Sequence, residues 1–442
     1  MTSKPYLMLA DELAAQIATG ELPMGYRLPP QREFAYTRGI SVSTASRVYE
    51  ELGRRGLVVG EVGRGTFVSN RFVPLDQRIL EPSNSGVDLE IVFQLASASR
   101  ATIRAGLISY FKSGMTSSAY GPPAVRGLPE LQMATARIFS EADPAFVPDQ
   151  FLFTGTGKQA LAASLAALAP RGGRVGIEAL TYPYAISAAR ILGIDLVPLE
   201  LDNEGIVPAS LDKAASIGLS AVYLQPRLQS PLVLTMSPER LDHIAGILDR
   251  HSLTAIEDRV YAFLDPGPSL ASRAPCRVVQ IDSLSKRLMP GLALGIIAAP
   301  SSLYARIATA IRSGGWMAPA MAQDIARYWI ETGILREVEL TKRTEAKDMF
   351  DIAMSILAPF GFKATENSMH GWLPVPPGLR SDDFAGACAR VGVAVAPGQL
   401  FSVTPGTSPQ GVRIAFSAPD YIIWEQALHT IANLIADMQD PR

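Results

Sequence analysis

At 442 residues the chain is too long for one ordinary core, so two or three domains are expected. A hydrophobic content of 48%, a charged content of 19% and a formal net charge of −2 describe a soluble globular protein and exclude one that clings to nucleic acid or membrane by bulk charge, while leaving room for a local basic face. The widely separated Cys276 and Cys388 form neither a disulfide framework nor a metal spacing, the N-terminal MTSKPYLMLADEL carries an acidic pair where a leader needs an apolar core, and no apolar run is long enough to span a bilayer, so the expected location is the cytoplasm.

Residues 1–70 predict three helices and a hairpin. Tyr6, Leu9, Ala10, Leu13, Ala14 and Ile17 recur at helical spacing, and Gly20 stops the run. LPPQREFAYTRG opens a short helix with Pro30 in its first turn and closes it at Gly39. Ser41 can cap a third helix, VSTASRVYEELGRRG, which ends at Gly56. LVV, a turn around Gly60–Gly63, and GTFVS then predict a two-stranded wing. On the third helix Ala45, Val48 and Leu52 share one side, and Ser43, Thr44 and Arg47 lie roughly opposite. That face offers two hydroxyls and a guanidinium to a DNA groove. Arg27, Arg32, Arg38, Arg54, Arg55 and Arg64 add charge around it, diluted by Glu33, Glu50, Glu51 and Glu61, so composition alone leaves a solvated helix face as an equal alternative. The string GELPMGYRLPPQREFAYTRGISVSTASRVYEELGRRGLVVGEVGRGTFVS resembles the winged helix-turn-helix of GntR-family bacterial regulators. The resemblance implies operator contacts by Arg27, Arg32, Ser43, Thr44 and Arg47, with Arg64 and Gly65 at the wing tip.

Residues 71–90 lose periodicity and carry Pro, Ser, Asn and Gly, so a linker is expected over 71–95 and a larger domain over 96–442, whose small subdomain begins near 311. In that domain apolar strands alternate with helices: FLFT, RVGIEA, IDLVPLEL, AVYLQP, LTAIED, VVQIDS and LALGIIAA. The alternation predicts an α/β fold with a mainly parallel sheet, and ligands on such sheets sit beyond the strand carboxyl ends. Four features stand there. TGTGKQAL, with Gly155 and Gly157 before a helix, is a natural phosphate cradle, although taken alone it is an ordinary turn and lacks the Walker A residues. IEDRVYAFL supplies Asp258 and Tyr261; a buried Asp can pair with a protonated ring nitrogen, but taken alone Asp258 reads more readily as a helix cap. Tyr182 can stack on a flat ring. Lys286, in VVQIDSLSKRLMPGLALG, ends a core strand, where an amine kept dry is suited to bond an aldehyde.

Together these residues ask for a planar phosphorylated aldehyde with a basic ring nitrogen, and their order and spacing resemble the fold type I pyridoxal-phosphate aminotransferases. The fusion to a winged helix resembles the MocR subfamily of GntR regulators. Matching stretches include Tyr120-Gly121, SPERLDHIAGILDRHSLTAIEDRVY, SLSKRLMPGLALG, GVAVAPGQLF and GVRIAFSAP. The resemblance implies a Schiff base on Lys286 and a pyridinium partner in Asp258. It implies cofactor contacts by Gly157, Lys158, Tyr182, Ser230, Tyr261, Ser283, Ser285 and Arg287, effector contacts by Tyr120 and Arg413, and a homodimer.

Four positions depart from the family pattern. Ser230 replaces the asparagine that reaches the ring hydroxyl, and Val233 the glycine of that motif. Ala293 stands where an arginine meets the cofactor phosphate, and Lys158 where a glutamine is usual. Lys158 or Arg287 is expected to supply the missing positive charge. The leading expectation is a transcription regulator that senses an amino compound or pyridoxal phosphate itself and reads double-stranded operator DNA. The alternatives are an aminotransferase with an accessory DNA-binding domain, and a regulator that has exchanged the cofactor for another small molecule.

Overall fold

The computed structural model describes residues 5–55, 57–61, 64–69, 86–92, 97–142, 146–376, 378–416 and 421–439. Helices α1 (Pro5–Thr19), α2 (Gln31–Arg38) and α3 (Val42–Arg54) precede the antiparallel pair β1 (Val58–Glu61) and β2 (Gly65–Val68). The boundaries follow local chemistry. Gly39 closes α2 in the left-handed region at φ 64°, which a side chain would resist. Ser41 caps α3 by accepting the Thr44 N–H at 3.1 Å. Ala45, Val48 and Leu52 are fully buried against Ala10, Leu13, Ala14 and Phe34, so the apolar stripe of α3 faces the first two helices as its periodicity requires. Gly56, Val62 and Gly63 lie outside the described residues.

The expected linker is only partly that. Residues 70–85 and 93–96 lie outside the described residues, but β3 (Val87–Leu89) is a strand, parallel to residues 393–395 in a sheet of the C-terminal region. Residues 86–92 thus belong to the larger body.

A seven-stranded sheet dominates that body. Its strands are β4 (Phe151–Thr154), β5 (Arg174–Glu178), β6 (Asp195–Leu199), β9 (Ala221–Leu224), β10 (Ala255–Asp258), β11 (Val278–Ser283) and β12 (Gly295–Ala298); between β6 and β9 lies the small hairpin of β7 (Leu201–Asp202) and β8 (Gly205–Ile206). The order is β4-β12-β11-β10-β9-β5-β6. Alternation along each strand explains the apolar runs: Phe151 and Phe153 enter one core with Val222, Leu224, Ala255 and Val278, while Leu152 enters another with Tyr223, Ile256, Val279 and Ile281. Strands β6, β5, β9, β10 and β11 are parallel, and β12 runs antiparallel to both its neighbours, β11 and β4. The short connection after β11 holds no crossover helix, which a parallel partner would need.

The second sheet orders β13 (His370–Pro374), β15 (Gly411–Ala415), β14 (Val393–Pro397) and β3. It packs Leu373, Val395, Val412 and Ile414 under Trp424, Leu428 and Ile431 of the C-terminal helix Tyr421–Gln439. Among the described residues no helix is long and apolar enough to cross a membrane.

Candidate functional site

A cavity of about 270 Å³ opens beyond the carboxyl ends of β9, β10 and β11, where a parallel sheet leaves polar groups unpaired. Its lining includes Gly157, Lys158, Tyr182, Ser230, Asp258, Tyr261, Ser283, Ser285, Lys286 and Arg413.

Lys286 sits on a one-turn helix, Leu284–Arg287, directly after β11. Its Nζ donates to the Val92 carbonyl at 2.7 Å and lies 5.9 Å from the centre of the Tyr261 ring. Burial, then the charges of Arg413, Lys342 and Lys158, hold the amine well below the ordinary lysine range, which favours the unprotonated, nucleophilic form. Asp258 ends β10 and accepts the Tyr223 hydroxyl at 2.8 Å, the Val260 N–H at 3.0 Å and the Gln225 amide at 3.4 Å. Burial pushes its carboxyl up to about 6, against those hydrogen bonds. A fixed carboxylate in a dry site is a strong partner for a cationic ring nitrogen.

The helix Gly157–Leu168 begins at the cavity, capped by Thr156, whose hydroxyl accepts the Gln159 N–H at 3.1 Å. A Cβ on Gly157 would meet Ser283 Cβ at 2.9 Å, so glycine lets this helix start press against the end of β11. Lys158 lines the cavity with its Nζ 5.5 Å from the centre of the Tyr184 ring. Arg413, on β15, is buried over the Phe401 ring at 4.8 Å. Its Nη1 donates to Ser230 Oγ at 3.0 Å, its Nη2 donates to the Glu90 carbonyl, and its buried Nε has no partner among the described residues. Burial and nearby Asp88 raise the Glu90 carboxyl to about 7.

Two expected contacts lie elsewhere. Arg287 turns away from the cavity: Nε and Nη2 bond Asp282 Oδ2 at 3.0 and 2.6 Å, and Nη1 bonds Glu339 at 2.5 Å. Consecutive residues on a helical turn point about 100° apart, so Lys286 and Arg287 serve different cavities. Lys158 is therefore the remaining candidate for the charge absent at Ala293. Tyr120 is 76% exposed and does not line the cavity. Val233 does adopt the left-handed region, at φ 60°, in spite of its β-branched side chain.

Sequence reasoning missed Glu90, Ile91 and Val92, which line the cavity from the expected linker, and also Thr156 and Gln225. Glu178 was missed as well; it is fully buried, accepts the Gln225 N–H at 3.0 Å, and is pushed up to about 8 by burial. Its place at the end of β5 was the signal available.

In the winged helix, Arg27, Arg32, Ser43, Arg47, Arg64 and Gly65 are exposed and Thr44 half-buried. Ser41 Oγ ties the first turn of α3 together, 2.9 Å from Ser43 Oγ and 2.8 Å from Thr44 Oγ1. Gly65 has φ 121°, and a Cβ there would meet Arg27 Nε at 2.9 Å, so Arg27 leans on the wing. Arg55 is not part of the basic face: it is buried, paired with Asp11 at 2.6 Å and Glu51 at 2.8 Å. Arg38 pairs with Glu12 at 2.8 Å.

The donor set fits pyridoxal phosphate. A dry amine, a buried carboxylate, a helix start tight enough to exclude a Cβ and an aromatic wall converge on one cavity, with the unpartnered Arg413 Nε beside them.

Comparison with known proteins agrees with this geometry. Residues 91–429 match the aminotransferase class I and II family, and residues 5–68 match the gntR family of bacterial regulatory proteins. The chain belongs to the aminotransferase class I and II family, with a GntR winged helix at its N-terminus. That fusion makes it a DNA-binding transcription regulator of the MocR type. It is 28% identical over 450 residues to the HTH-type transcriptional regulator YdeF of Bacillus subtilis, covering 98% of this chain and 95% of the relative. It is 25% identical over 422 residues to the vitamin B6 salvage pathway transcriptional repressor PtsJ of Salmonella typhimurium, covering 92% and 93%. Among solved structures, the kynurenine aminotransferase of Pyrococcus horikoshii superposes with a TM-score of 0.73 at 20% identity, covering 84% of this chain and 98% of that one. The α-aminoadipate aminotransferase LysN of Thermus thermophilus gives 0.71 at 19%, covering 83% and 98%.

Proposed function

We propose that the aminotransferase-like region takes pyridoxal phosphate on Lys286 and senses a small amino compound, relaying occupancy to the winged helix. Pyridoxal phosphate, when bound, supplies an aldehyde that reacts with amines. The chain's own residues do the rest. Asp258 holds the ring nitrogen, the helix start at Gly157 with Lys158 takes the phosphate, Tyr182 and Tyr261 wall the ring, and Arg413 takes a carboxylate.

One observation carries the reading. The two ligand-directed groups, Lys286 Nζ and Arg413 Nη2, both donate to carbonyls of one short segment, those of Val92 and Glu90. That segment follows residues 70–85, which connect it to the winged helix. A ligand that recruits the amine and the guanidinium competes with those bonds, and so has the different affinity for two arrangements that a sensor needs. In a homodimer, two winged helices would read paired half-sites. The alternative of turnover is favoured by the meeting of Lys286, Asp258, Tyr261 and Arg413 in one cavity.

The test is operator affinity of the full chain, measured with pyridoxal phosphate and a panel of primary amines. An amino compound should change that affinity at least several-fold, and Arg413→Ala should abolish the response to amino acids but not to amines lacking a carboxylate. An operator affinity indifferent to every amine, together with steady keto-acid formation, overturns the sensor in favour of an enzyme.

A further inference from the structure

A second cavity, of about 240 Å³, lies by Gln280, which points to the opposite face of β11 from Ile281 and Ser283. Four guanidinium groups line it: Arg259, Arg287, Arg336 and Arg343. Glu339 is the one carboxylate among the described residues of its lining. Behind the wall, Glu257 is occupied by the N–H groups of Leu270 and Ala271 at 2.9 and 3.1 Å and by Gln280 at 3.0 Å, with Arg259 at 3.8 Å. Asp282 is occupied by Arg287. The remaining wall is apolar, from Phe139, Phe263 and Leu340, and the Arg287 guanidinium lies 5.9 and 5.4 Å from the centres of the two rings. Arg343 is anchored at the rim by donating Nε to the Phe263 carbonyl at 2.7 Å. Planar forks beside an apolar wall suit a carboxylate or phosphate ester carrying a compact hydrophobic body.

We propose that this cavity is a second ligand site, for a small organic anion, and that its occupancy is coupled to the Lys286 cleft. The coupling half rests on the reading of Lys286 given above; the binding half does not. The link is the long helix Ile334–Leu357. Its Arg336, Glu339 and Arg343 face the cavity, and one residue before Arg343, Lys342 Nζ donates to the Lys286 carbonyl at 2.5 Å. Arg287 joins the same helix to the turn that carries Lys286, through Glu339. An anion that draws Arg287 from Glu339 loosens the grip of this helix on that turn.

The experiment is calorimetric titration of the cofactor-free full chain with benzoate and with phenyl phosphate. Saturable binding of either supports the site, and the preferred probe tells whether carboxylates or phosphate esters are its ligands. Arg336→Gln with Arg343→Gln should weaken binding at least tenfold, whereas Lys158→Ala and Lys286→Ala should leave it unchanged. Leu340→Trp, which fills the mouth without changing charge, should weaken it to a similar extent. Binding of neither probe, or binding lost in Lys158→Ala and kept in the arginine pair, overturns the proposal, the latter by placing the probe in the first cavity. For the coupling, the saturating probe should shift the dissociation constant for pyridoxal phosphate at least threefold in the native chain and not in the arginine pair; an unchanged constant in both overturns the coupling.

Discussion

Asp258→Asn should make the cofactor-free protein more stable at neutral pH while weakening its hold on pyridoxal phosphate. The native carboxyl is raised from 3.8 to about 6 by burial. At about 1.4 kcal/mol per pH unit, keeping it ionised costs about 3 kcal/mol of folding free energy at pH 7.5. Because the folded value lies above the unfolded one, this carboxyl favours the folded state fully below about pH 4, and the benefit is lost as pH rises through 6. Asparagine stays neutral throughout and keeps an oxygen to accept the Tyr223 and Val260 donors, at a loss of about 1 kcal/mol for weaker, uncharged hydrogen bonds. The net expected gain is about 1–2 kcal/mol at pH 7.5 and none at pH 4. The same change removes the ionic partner of the ring nitrogen, which should weaken cofactor binding by about ten- to a hundredfold. The assay pairs denaturant unfolding at pH 4.5 and 7.5 with an absorbance titration of pyridoxal phosphate. A variant that binds the cofactor as tightly as the native chain, or that is less stable at pH 7.5, refutes the reasoning.

Other outcomes follow from the same geometry. Glu178, raised to about 8, likewise stabilises the folded state below its unfolded value of 4.5 and loses that contribution as pH rises through 8, so Glu178→Gln should flatten the stability profile between those limits, read by thermal melts at several pH values. Arg47→Ala should weaken operator binding about tenfold and, if Arg47 meets a phosphate, reduce the salt dependence by about one counterion; a binding isotherm at several salt concentrations checks it. Ala293→Arg returns a cation to the position that the family pattern assigns to the phosphate, where the backbone is already left-handed at φ 48°, and should tighten cofactor binding about tenfold in the same absorbance titration.

The winged helix was legible because its signals are local. Ser41 caps, Gly39 closes and the α3 stripe buries, each within a few residues of the position that announces it. Lys286 and Asp258 were legible because strand ends are where an α/β sheet gathers polar groups. Residues 86–92 were not, since a three-residue strand has no period of its own and β3 exists only by pairing with β14 far downstream. Arg287 was misplaced for a geometric reason: a single helical turn after β11 sends neighbouring side chains to different faces, and sequence alone does not show where a strand hands over to a turn. The antiparallel β12 could have been read from the missing crossover helix between β11 and β12.

The central claim is that the Lys286 amine is the group that bonds the aldehyde. The most direct measurement is hydride reduction of the protein loaded with pyridoxal phosphate, followed by mass mapping of peptides, in the native chain and in Lys286→Ala. The account predicts a visible absorption band and one modified peptide, the one containing Lys286, both absent from the variant. An undiminished band in Lys286→Ala, or modification mapped to Lys158 or Lys342 in the native chain, would contradict it.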